Sequence, residues 1–215
     1  MSDTEVALLK EALHSAKNYL EYGAGGSTRL AVSVTSILKI IAVDSDPAFI
    51  SSQLLTDPNI QVATRSGQLR FVLVDIGPTK AWGHPVDCSK SHLWPNYALC
   101  PYLHDFDPDL ILIDGRFRVA CGLAAALQAP NATVLIHDYP NRTEYHILER
   151  FYKIEACADK LVRCRRVAKP DEEEARGLLK DYLYAPAELD PSPARRSKLK
   201  RLVSRLTHRK ADGHD

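Results

Sequence analysis

Apolar side chains follow two different spacings along the chain, one typical of helices and one typical of buried strands. Through residues 3–17 they recur at helical spacing, which predicts an amphipathic helix, at Val6, Leu9, Leu13 and Ala16. Residues 38–43 are almost wholly apolar, as expected for a strand that is covered on both faces of a parallel sheet. Similar patterns predict strands at 18–21, 71–74, 109–113 and 132–136, and helices at 27–36, 119–127 and 144–152. Residues 154–167 predict one or two late strands.

This alternation of strands and helices predicts an α/β fold, a Rossmann-like, doubly wound, mostly parallel sheet with helices on both faces. Residues 77–107 form one long irregular stretch in that pattern, rich in aromatic residues and proline. A loop of this length in a small domain is usually functional, so we expect a lid over a binding site.

Charge divides the chain into a body and a tail. Residues 190–215 carry eight Lys and Arg against three acids, which leaves 20 basic and 24 acidic residues in the body. We predict one domain over residues 1–189 and a basic, flexible or helical tail over 190–215. The tail is suited to an acidic partner, whereas the mildly acidic body favours no nucleic acid.

Composition narrows the class of protein further. Hydrophobic residues make up 45% and charged residues 26% of the chain, an ordinary balance for a soluble domain. No apolar run reaches the length of a transmembrane helix, and the first 20 residues lack the features of a secretion signal. The five cysteines contain no CxxC pair. We therefore expect a cytoplasmic protein with reduced thiols.

The first predicted strand runs into a glycine-rich turn, Glu21-Tyr22-Gly23-Ala24-Gly25-Gly26-Ser27-Thr28. Glycines let the backbone turn tightly and approach a ligand, and the N-terminus of the following helix presents free N–H groups to it. The next predicted strand ends at Asp44, 21 residues after Gly23. A carboxylate at that position can accept hydrogen bonds from both hydroxyls of a ribose. This pattern predicts a nucleotide-type ligand.

Two residues distinguish S-adenosylmethionine from a dinucleotide. The dinucleotide fingerprint G-x-G-x-x-G requires glycine at position 28, where this chain has Thr28. Glu21 stands two residues before the first glycine, where a carboxylate suits the positive sulfonium and amino groups of S-adenosylmethionine and would repel a pyrophosphate. S-adenosylmethionine is therefore favoured, and an NAD(P)-binding oxidoreductase is the alternative.

At these residues the sequence resembles the class I S-adenosylmethionine-dependent methyltransferases, over roughly residues 17–151. Their motif acid-x-Gly-x-Gly matches Glu21, Gly23 and Gly25, the acid after their second strand matches Asp44, and their common third glycine is Ser27 here. The segments EYGAGGST, IDGRFRVAC and IHDY are similar to a subgroup of bacterial methyltransferase-like proteins. The resemblance implies a cofactor site formed by Glu21, Gly23, Gly25, Gly26, Ser27 and Asp44. Asp75, at the end of the third predicted strand, is a further cofactor-binding candidate: it either contacts the adenine or begins a turn toward Gly77-Pro78.

Candidate catalytic residues follow the next two strands of the predicted sheet, at Asp114 and at His137-Asp138. Because the carboxyl ends of parallel strands meet at one edge, these side chains should converge near the transferred methyl group. Either Asp114 or His137 can take the proton of an acceptor hydroxyl. We expect methylation of a small polar acceptor, with oxygen slightly favoured because no Asn-Pro-Pro-Tyr-type motif is present. A non-catalytic S-adenosylmethionine-binding protein is a further alternative.

The resemblance also raises the question of a metal ion. Catechol O-methyltransferase and its relatives hold Mg²⁺ with acids at these two strand ends, where Asp114 and Asp138 stand in this chain. The usual acid-asparagine pair reads Asp138-Tyr139 here, and hard cations prefer several oxygen ligands. A divalent metal is therefore possible but not favoured.

Side chains around the expected lid are candidates for acceptor binding. Trp82, His84, Trp94 and Tyr97 are expected to shape the pocket. Arg116, Arg118 and Arg142 either bind an anionic substrate or pair with Asp114 and Asp138. The predicted substrate-binding residues are Trp82, His84, Arg116 and Arg142.

Overall fold

A seven-stranded sheet lies at the centre of the computed structural model, which describes residues 1–80, 83–103 and 105–185. The strands are, in chain order, β1 (Asn18–Tyr22), β2 (Lys39–Asp44), β3 (Leu69–Leu73), β4 (Thr79–Lys80), β5 (His84–Pro85), β6 (Leu110–Ile113), β7 (Thr133–Ile136), β8 (Tyr152–Ala158) and β9 (Leu161–Arg166). The central sheet has the order β3-β2-β1-β6-β7-β9-β8, and β4 pairs with β5 separately. The pairs from β3 to β7 are parallel, and β9 is antiparallel to both of its neighbours.

Helices cover both faces of this sheet. They are α1 (Asp3–His14), α2 (Gly26–Ser33), α3 (Pro47–Phe49), α4 (Pro58–Arg65), α5 (Pro95–Leu99), α6 (Arg118–Gln128) and α7 (Glu172–Tyr182). A π-helical turn, Ile50–Leu54, continues α3, and 3₁₀ helices span Ser91–Leu93, Cys100–Leu103 and Thr143–Arg150. Residues of α1, α2 and α4 belong to the core on one face, and residues of α5, α6 and α7 to the core on the other. The predicted Rossmann-like α/β architecture is confirmed.

Local signals explain several helix boundaries. Ser2 and Glu5 form a reciprocal capping box at the start of α1. Asp46 accepts a hydrogen bond from the Phe49 N–H at 2.9 Å and Pro47 occupies the first turn, so this pair caps the start of α3. Helix α6 is buried along nearly its whole length because its sequence is rich in alanine and other apolar residues.

The long segment 77–107 is more structured than the sequence pattern indicated. It contains β4, β5, α5 and two of the 3₁₀ helices, whose short lengths leave no helical or strand periodicity to detect. Trp94 and Tyr97, expected to shape the pocket from a lid, are only 3% and 1% exposed and belong to the core. Trp94 donates its indole N–H to the main-chain oxygen of Ile76 at 2.9 Å and packs on Phe117. For Trp94 the expected pocket position is therefore wrong.

Two expectations concern parts of the chain that the structure leaves undescribed. The predicted boundary at residue 189 and the basic tail over 190–215 lie outside the described residues, as does Trp82. In the described ranges, none of the helices combines the length and the apolar character that crossing a bilayer would require.

Candidate functional site

A cleft opens at the carboxyl edge of the sheet, where the strand order reverses. Strand β1 lies between β2 and β6, so the chain leaves β1 and β6 toward helices on opposite faces. Ligands of doubly wound sheets bind at this kind of reversal. The cleft has a volume of about 1400 Å³ and is lined by residues that follow β1, β2, β6 and β7, together with the start of α1. This volume exceeds that of an ordinary small-molecule pocket and leaves room for two ligands side by side.

The glycine turn borders the cleft, and its glycines serve two different purposes. Gly23 has a φ of +92°, and a Cβ there would lie 2.8 Å from the Cα of Gly115. The turn after β1 thus lies directly against the turn after β6, and only glycine permits this approach. At Gly25 and Gly26, in contrast, a Cβ would meet nothing within 4 Å. These two glycines leave open space in the cleft, as a cradle for a ligand requires.

Glu21 lies beneath the glycine turn and is not part of the cleft lining. Its side chain is fully buried and accepts hydrogen bonds from the hydroxyls of Thr28, of Ser27 at 2.6 Å and of Tyr19 at 3.1 Å. Burial raises the pKa of Glu21 to about 7. Thr28 also accepts from the Gly25 N–H at 2.8 Å. The carboxylate expected at the sulfonium therefore ties the first turn of α2 to β1, and Thr28, which sequence reasoning used only to exclude a glycine, completes that link.

Asp44 lines the cleft at the end of β2, where the sequence placed the ribose-binding acid. Its carboxylate accepts from the N–H groups of Ala24 at 2.9 Å, Ser45 at 2.7 Å and Asp46 at 3.0 Å. Burial raises its pKa above the usual value. A carboxylate has about four acceptor sites, so Asp44 retains capacity for a ligand hydroxyl. The open glycine cradle and this remaining acceptor fit an adenosyl group.

Asp75 lies away from the cleft lining, although the sequence placed it beside an adenine. Its side chain is exposed, accepts from the Gly77 N–H at 2.9 Å and forms an ion pair with Lys90 at 3.2 Å. The carboxylate thus closes a local turn, which is a common use of aspartate two residues before glycine. The local alternative, a turn toward Gly77, describes Asp75 better than a contact with the cofactor.

The structure brings together the three predicted catalytic side chains. Asp114 Oδ1 lies 3.0 Å from His137 Nδ1, and Asp138 Oδ1 lies 3.7 Å from the same nitrogen. All three residues line the cleft. Asp138 adopts a left-handed backbone conformation with a φ of 61°, which is uncommon outside glycine and is often found at functional sites.

Arg118, which the sequence suggested only as one possible partner for these acids, organises the cluster. Its guanidinium is 3.2 Å from Asp114 Oδ1 and 3.1 Å from Asp138 Oδ2, and its side chain is 6% exposed. It also donates to the main-chain oxygens of Gly115 at 3.0 Å, Asp114 at 3.1 Å and His137 at 2.5 Å. One buried side chain therefore joins the ends of β6 and β7. The four-residue spacing between Asp114 and Arg118 at a helix start is the sequence signal for this contact.

Glu5 of α1 is a further member of the cluster that sequence reasoning missed. It is 3% exposed, and its Oε1 lies 3.4 Å from His137 Nε2. Despite this burial, the N–H groups of Ser2 and Lys160 hold the pKa of Glu5 below its usual value. In the sequence, the capping motif explains Glu5 completely, so nothing there pointed to a second contact.

The two ring nitrogens of His137 both face carboxylates. Its close contact with Asp114, followed by the charges of Asp114, Asp138 and Glu5, raises the pKa of His137 above the usual value. Within the described residues, neither ring nitrogen has the angles of a regular hydrogen bond, so the attraction is chiefly between charges. For Asp138, burial favours the neutral form, but the nearby Arg118 keeps the pKa below the usual value.

The cluster also contains three possible ligands of a metal ion. Ligand atoms of Asp114, His137 and Asp138 lie within 4.8 Å of one another, close enough to coordinate one cation. However, both carboxylates already contact the buried guanidinium of Arg118, so a divalent cation would have to share them with a fixed positive charge. The donor set fits such a cation poorly, and we assign it no step of a reaction.

Two positive side chains, Arg116 and Arg142, also border the cleft. Arg116 donates to His84 Nε2 at 2.9 Å, and Arg142 lies 3.6 Å from Glu144. His84, Arg116 and Arg142 all line the cleft. Tyr97, although buried in the core, also lines it and accepts the Arg116 main-chain N–H at 3.2 Å. Three of the four predicted substrate-binding residues thus share the cleft with the glycine turn.

Comparison with solved structures places this architecture among known proteins. A methyltransferase-like protein from Silicibacter pomeroyi is 30% identical, with a TM-score of 0.74, over 86% of this chain and 96% of that one. The N-methyltransferase NodS from Bradyrhizobium japonicum is 16% identical, with a TM-score of 0.41, over 78% of this chain and 94% of that one. Spermidine synthase from Thermotoga maritima is 12% identical, with a TM-score of 0.43, over 78% of this chain and 59% of that one. No protein-family model and no curated protein matches the sequence.

Proposed function

Because this chain belongs to the class I S-adenosylmethionine-dependent methyltransferases, we propose that it methylates a small polar acceptor, with a hydroxyl oxygen slightly favoured as nucleophile. One observation carries the proposal: the open glycine turn, Asp44 and the cluster around Asp114 all face one cleft. A cofactor and an acceptor bound there would be neighbours, and holding two reactants side by side supplies much of the rate of a displacement reaction.

The cofactor is assigned to the side of the cleft that contains the glycine turn. The open positions Gly25 and Gly26 accept the methionine end, and Asp44 accepts a hydrogen bond from one hydroxyl of the ribose. Glu21 contributes indirectly, because it holds Ser27 and Thr28 and thereby fixes the shape of the turn. We propose a supporting role for Glu21 in place of a direct contact with the sulfonium.

The acceptor is assigned to the side of the cleft that contains the catalytic cluster. Asp114 and Asp138 are 28% and 26% exposed, whereas His137 is 15% exposed and lies between Asp114 and Glu5. Asp114 is therefore better placed than His137 to meet a hydroxyl. Its Oδ1 makes the contacts with His137 and Arg118, so we assign Oδ2 to the acceptor.

In this scheme the residues of the cluster divide the work. Transfer breaks the methyl–sulfur bond, leaves its electron pair on sulfur as S-adenosylhomocysteine forms, and joins the methyl to the acceptor oxygen. The hydroxyl proton moves to Asp114 Oδ2, while Asp114 Oδ1 keeps its contacts with His137 and Arg118 and so holds the carboxylate in position. Arg118 also holds Asp138 in place at the mouth of the site.

Calorimetry with S-adenosylmethionine, S-adenosylhomocysteine and NAD tests this assignment. We expect tight binding of S-adenosylhomocysteine and no heat with NAD. A catalytic role is then tested by release of S-adenosylhomocysteine from the methyl donor with a panel of hydroxylated acceptors, using Asp114→Asn as the inactive variant that still binds product. NAD binding would support the oxidoreductase alternative. The absence of a binding signal with all three ligands would contradict the proposal.

A further inference from the structure

Two arginines of the cleft lie near His84, and we call these three residues the cationic corner: His84, Arg116 and Arg142. Arg116 Nη1 donates to His84 Nε2 at 2.9 Å, a contact in which the imidazole acts as a neutral acceptor. In the described part of the chain, the Arg116 guanidinium has no carboxylate within ion-pair distance. A half-buried guanidinium beside a neutral ring is thus left to pair with an anion that comes from outside the chain.

Other positive charges near the cationic corner also favour the binding of an anion there. Among the described residues, the ion pair of Arg142 is a loose contact, 3.6 Å to Glu144, and its side chain is 53% exposed, although its charge also acts on Asp138. The pKa of His84 is lowered, first by burial and then by four positive charges, those of Arg116, Lys80, Arg142 and Arg118. The influences on His84 are therefore desolvation and four cations. Arg118 differs from the others because Asp114 and Asp138 already neutralise it.

We propose that the cationic corner binds an oxyanion group of the acceptor, a carboxylate, sulfate or phosphate, and thereby selects acidic acceptors for methylation. This inference rests on the proposed function, because it takes the bound anion to be part of the methyl acceptor. The planar guanidinium of Arg116 can hold two oxygens of such a group at once. Arg116 follows Asp114 by two residues in the turn after β6, so an acceptor anchored there presents a nearby hydroxyl to Asp114.

The ring of His84 supplies a spectroscopic reporter for this site. An anion beside the ring favours the imidazolium form, so binding must raise the lowered pKa of His84. The charged groups that act on the ring in this structure are those of Arg116, Lys80, Arg142 and Arg118. The change in pKa therefore reports the added anion.

The test uses the full chain and NMR of its histidine side chains, with the His84 signal assigned by its loss in His84→Gln. Sulfate, inorganic phosphate and benzoate are titrated at an ionic strength held constant with chloride, with and without S-adenosylhomocysteine. We expect a saturable shift of the His84 signal and a raised pKa with at least one of them. Arg116→Gln should weaken that binding by about tenfold or more. The probe that binds most tightly identifies the group as a carboxylate or a tetrahedral oxyanion.

Two further variants keep the test decisive. Arg116→Lys retains the charge but loses the planar fork, so its affinity should lie between those of the parent and Arg116→Gln. Arg165→Gln removes the same charge from β9, where Arg165 pairs with exposed Glu155, and should leave anion binding unchanged. Equal affinity in the parent and in Arg116→Gln would overturn the proposal.

The outcomes also separate this inference from the proposed function. If S-adenosylhomocysteine binds but no oxyanion shifts the His84 signal beyond the chloride control, the cationic corner is refuted and the methyltransferase assignment stands. If oxyanions bind at His84 while S-adenosylhomocysteine and the methyl donor do not, the proposed function is refuted and the anion site stands.

Discussion

Glu5 and His137 join the first helix to the cluster of Asp114, Asp138 and Arg118, with Glu5 Oε1 3.4 Å from His137 Nε2. The carboxylate is buried, and it also accepts the main-chain N–H groups of Ser2 and Lys160. The N-terminal helix therefore does more than cover the sheet: it supplies one of the charges that surround the imidazole. A residue that acts through another in this way is a positioning residue, and its removal should change the titration of its partner.

Glu5→Gln tests this relationship. Because the negative charge of Glu5 raises the pKa of His137, its removal should lower that pKa, which NMR titration of the His137 ring measures. We also expect turnover to fall by about tenfold, with little change in the affinity for S-adenosylhomocysteine. Glu11→Gln is the matched control, because Glu11 is an exposed residue of the same helix that pairs with Arg163. An unchanged His137 pKa in Glu5→Gln would contradict the positioning role.

Glu21 should make the folding stability depend on pH. Its pKa is about 7 in the fold, raised by burial from a usual value of 4.5, so the folded state binds more protons than the unfolded chain between these values. The contribution is complete below pH 4.5, is lost as pH rises through about 7, and amounts to an order of 3 kcal/mol. Urea unfolding from pH 5 to 8 should show this decline in the parent. The decrease of the unfolding free energy with pH should become smaller in Glu21→Gln and should be retained in Glu11→Gln.

Alanine at the open glycines should separate binding from folding. A Cβ at Gly25 or Gly26 meets no protein atom within 4 Å, so both variants should keep the unfolding free energy of the parent to within about 1 kcal/mol. The added methyl would enter the space that we assign to the cofactor, so calorimetry should show affinity for S-adenosylhomocysteine reduced by about tenfold or more. Gly177→Ala, also at an open position but in α7, serves as the control. If both Gly25→Ala and Gly26→Ala bound S-adenosylhomocysteine as tightly as the parent, the assignment of the cofactor to this turn would be wrong.

Gly23→Ala should have the opposite result. Its φ of +92° is strained for alanine, and the new Cβ would lie 2.8 Å from the backbone of Gly115. We expect a loss of about 2 kcal/mol or more in the free energy of unfolding, measured by urea titration. A stability equal to that of Gly26→Ala would show that the two turns do not pack as closely as the structure indicates.

Arg118 should be the most sensitive position of the cluster. Arg118→Met leaves Asp114 and Asp138 without their shared guanidinium, and breaking a buried ion pair on one side costs about 3–5 kcal/mol. Arg165→Gln breaks an exposed pair and should cost less than about 1 kcal/mol. Urea unfolding at neutral pH compares the two variants. Similar stabilities would contradict the bridging role of Arg118.

Much of the architecture could be predicted because its signals are local. The apolar run at 38–43, the strand pattern at 109–113 and the Asp46-Pro47 cap each depend on neighbouring residues alone, and each matches an observed element to within a few positions. The helices α4 and α7 were missed, and 144–152 formed a 3₁₀ helix in place of an α-helix. The buried residues of α7, Ala175, Leu179 and Tyr182, do follow helical spacing, but the first turn consists of three glutamates and the segment is polar on average.

By itself, the sequence determined the sheet, the helices α1, α2 and α6, the glycine turn and the strand ends at Asp44, Asp114 and His137. Hydrophobic spacing and the direction of parallel strands are properties of the local chain. Tertiary structure alone decided which polar groups meet. Glu21 faces the hydroxyls of α2 and Asp75 faces Lys90, while Glu5 reaches across from the first helix to His137. A buried charge is unfavourable unless an opposite charge or a hydrogen-bond donor lies beside it. Which group fills that role depends on which distant segments of the chain pack together.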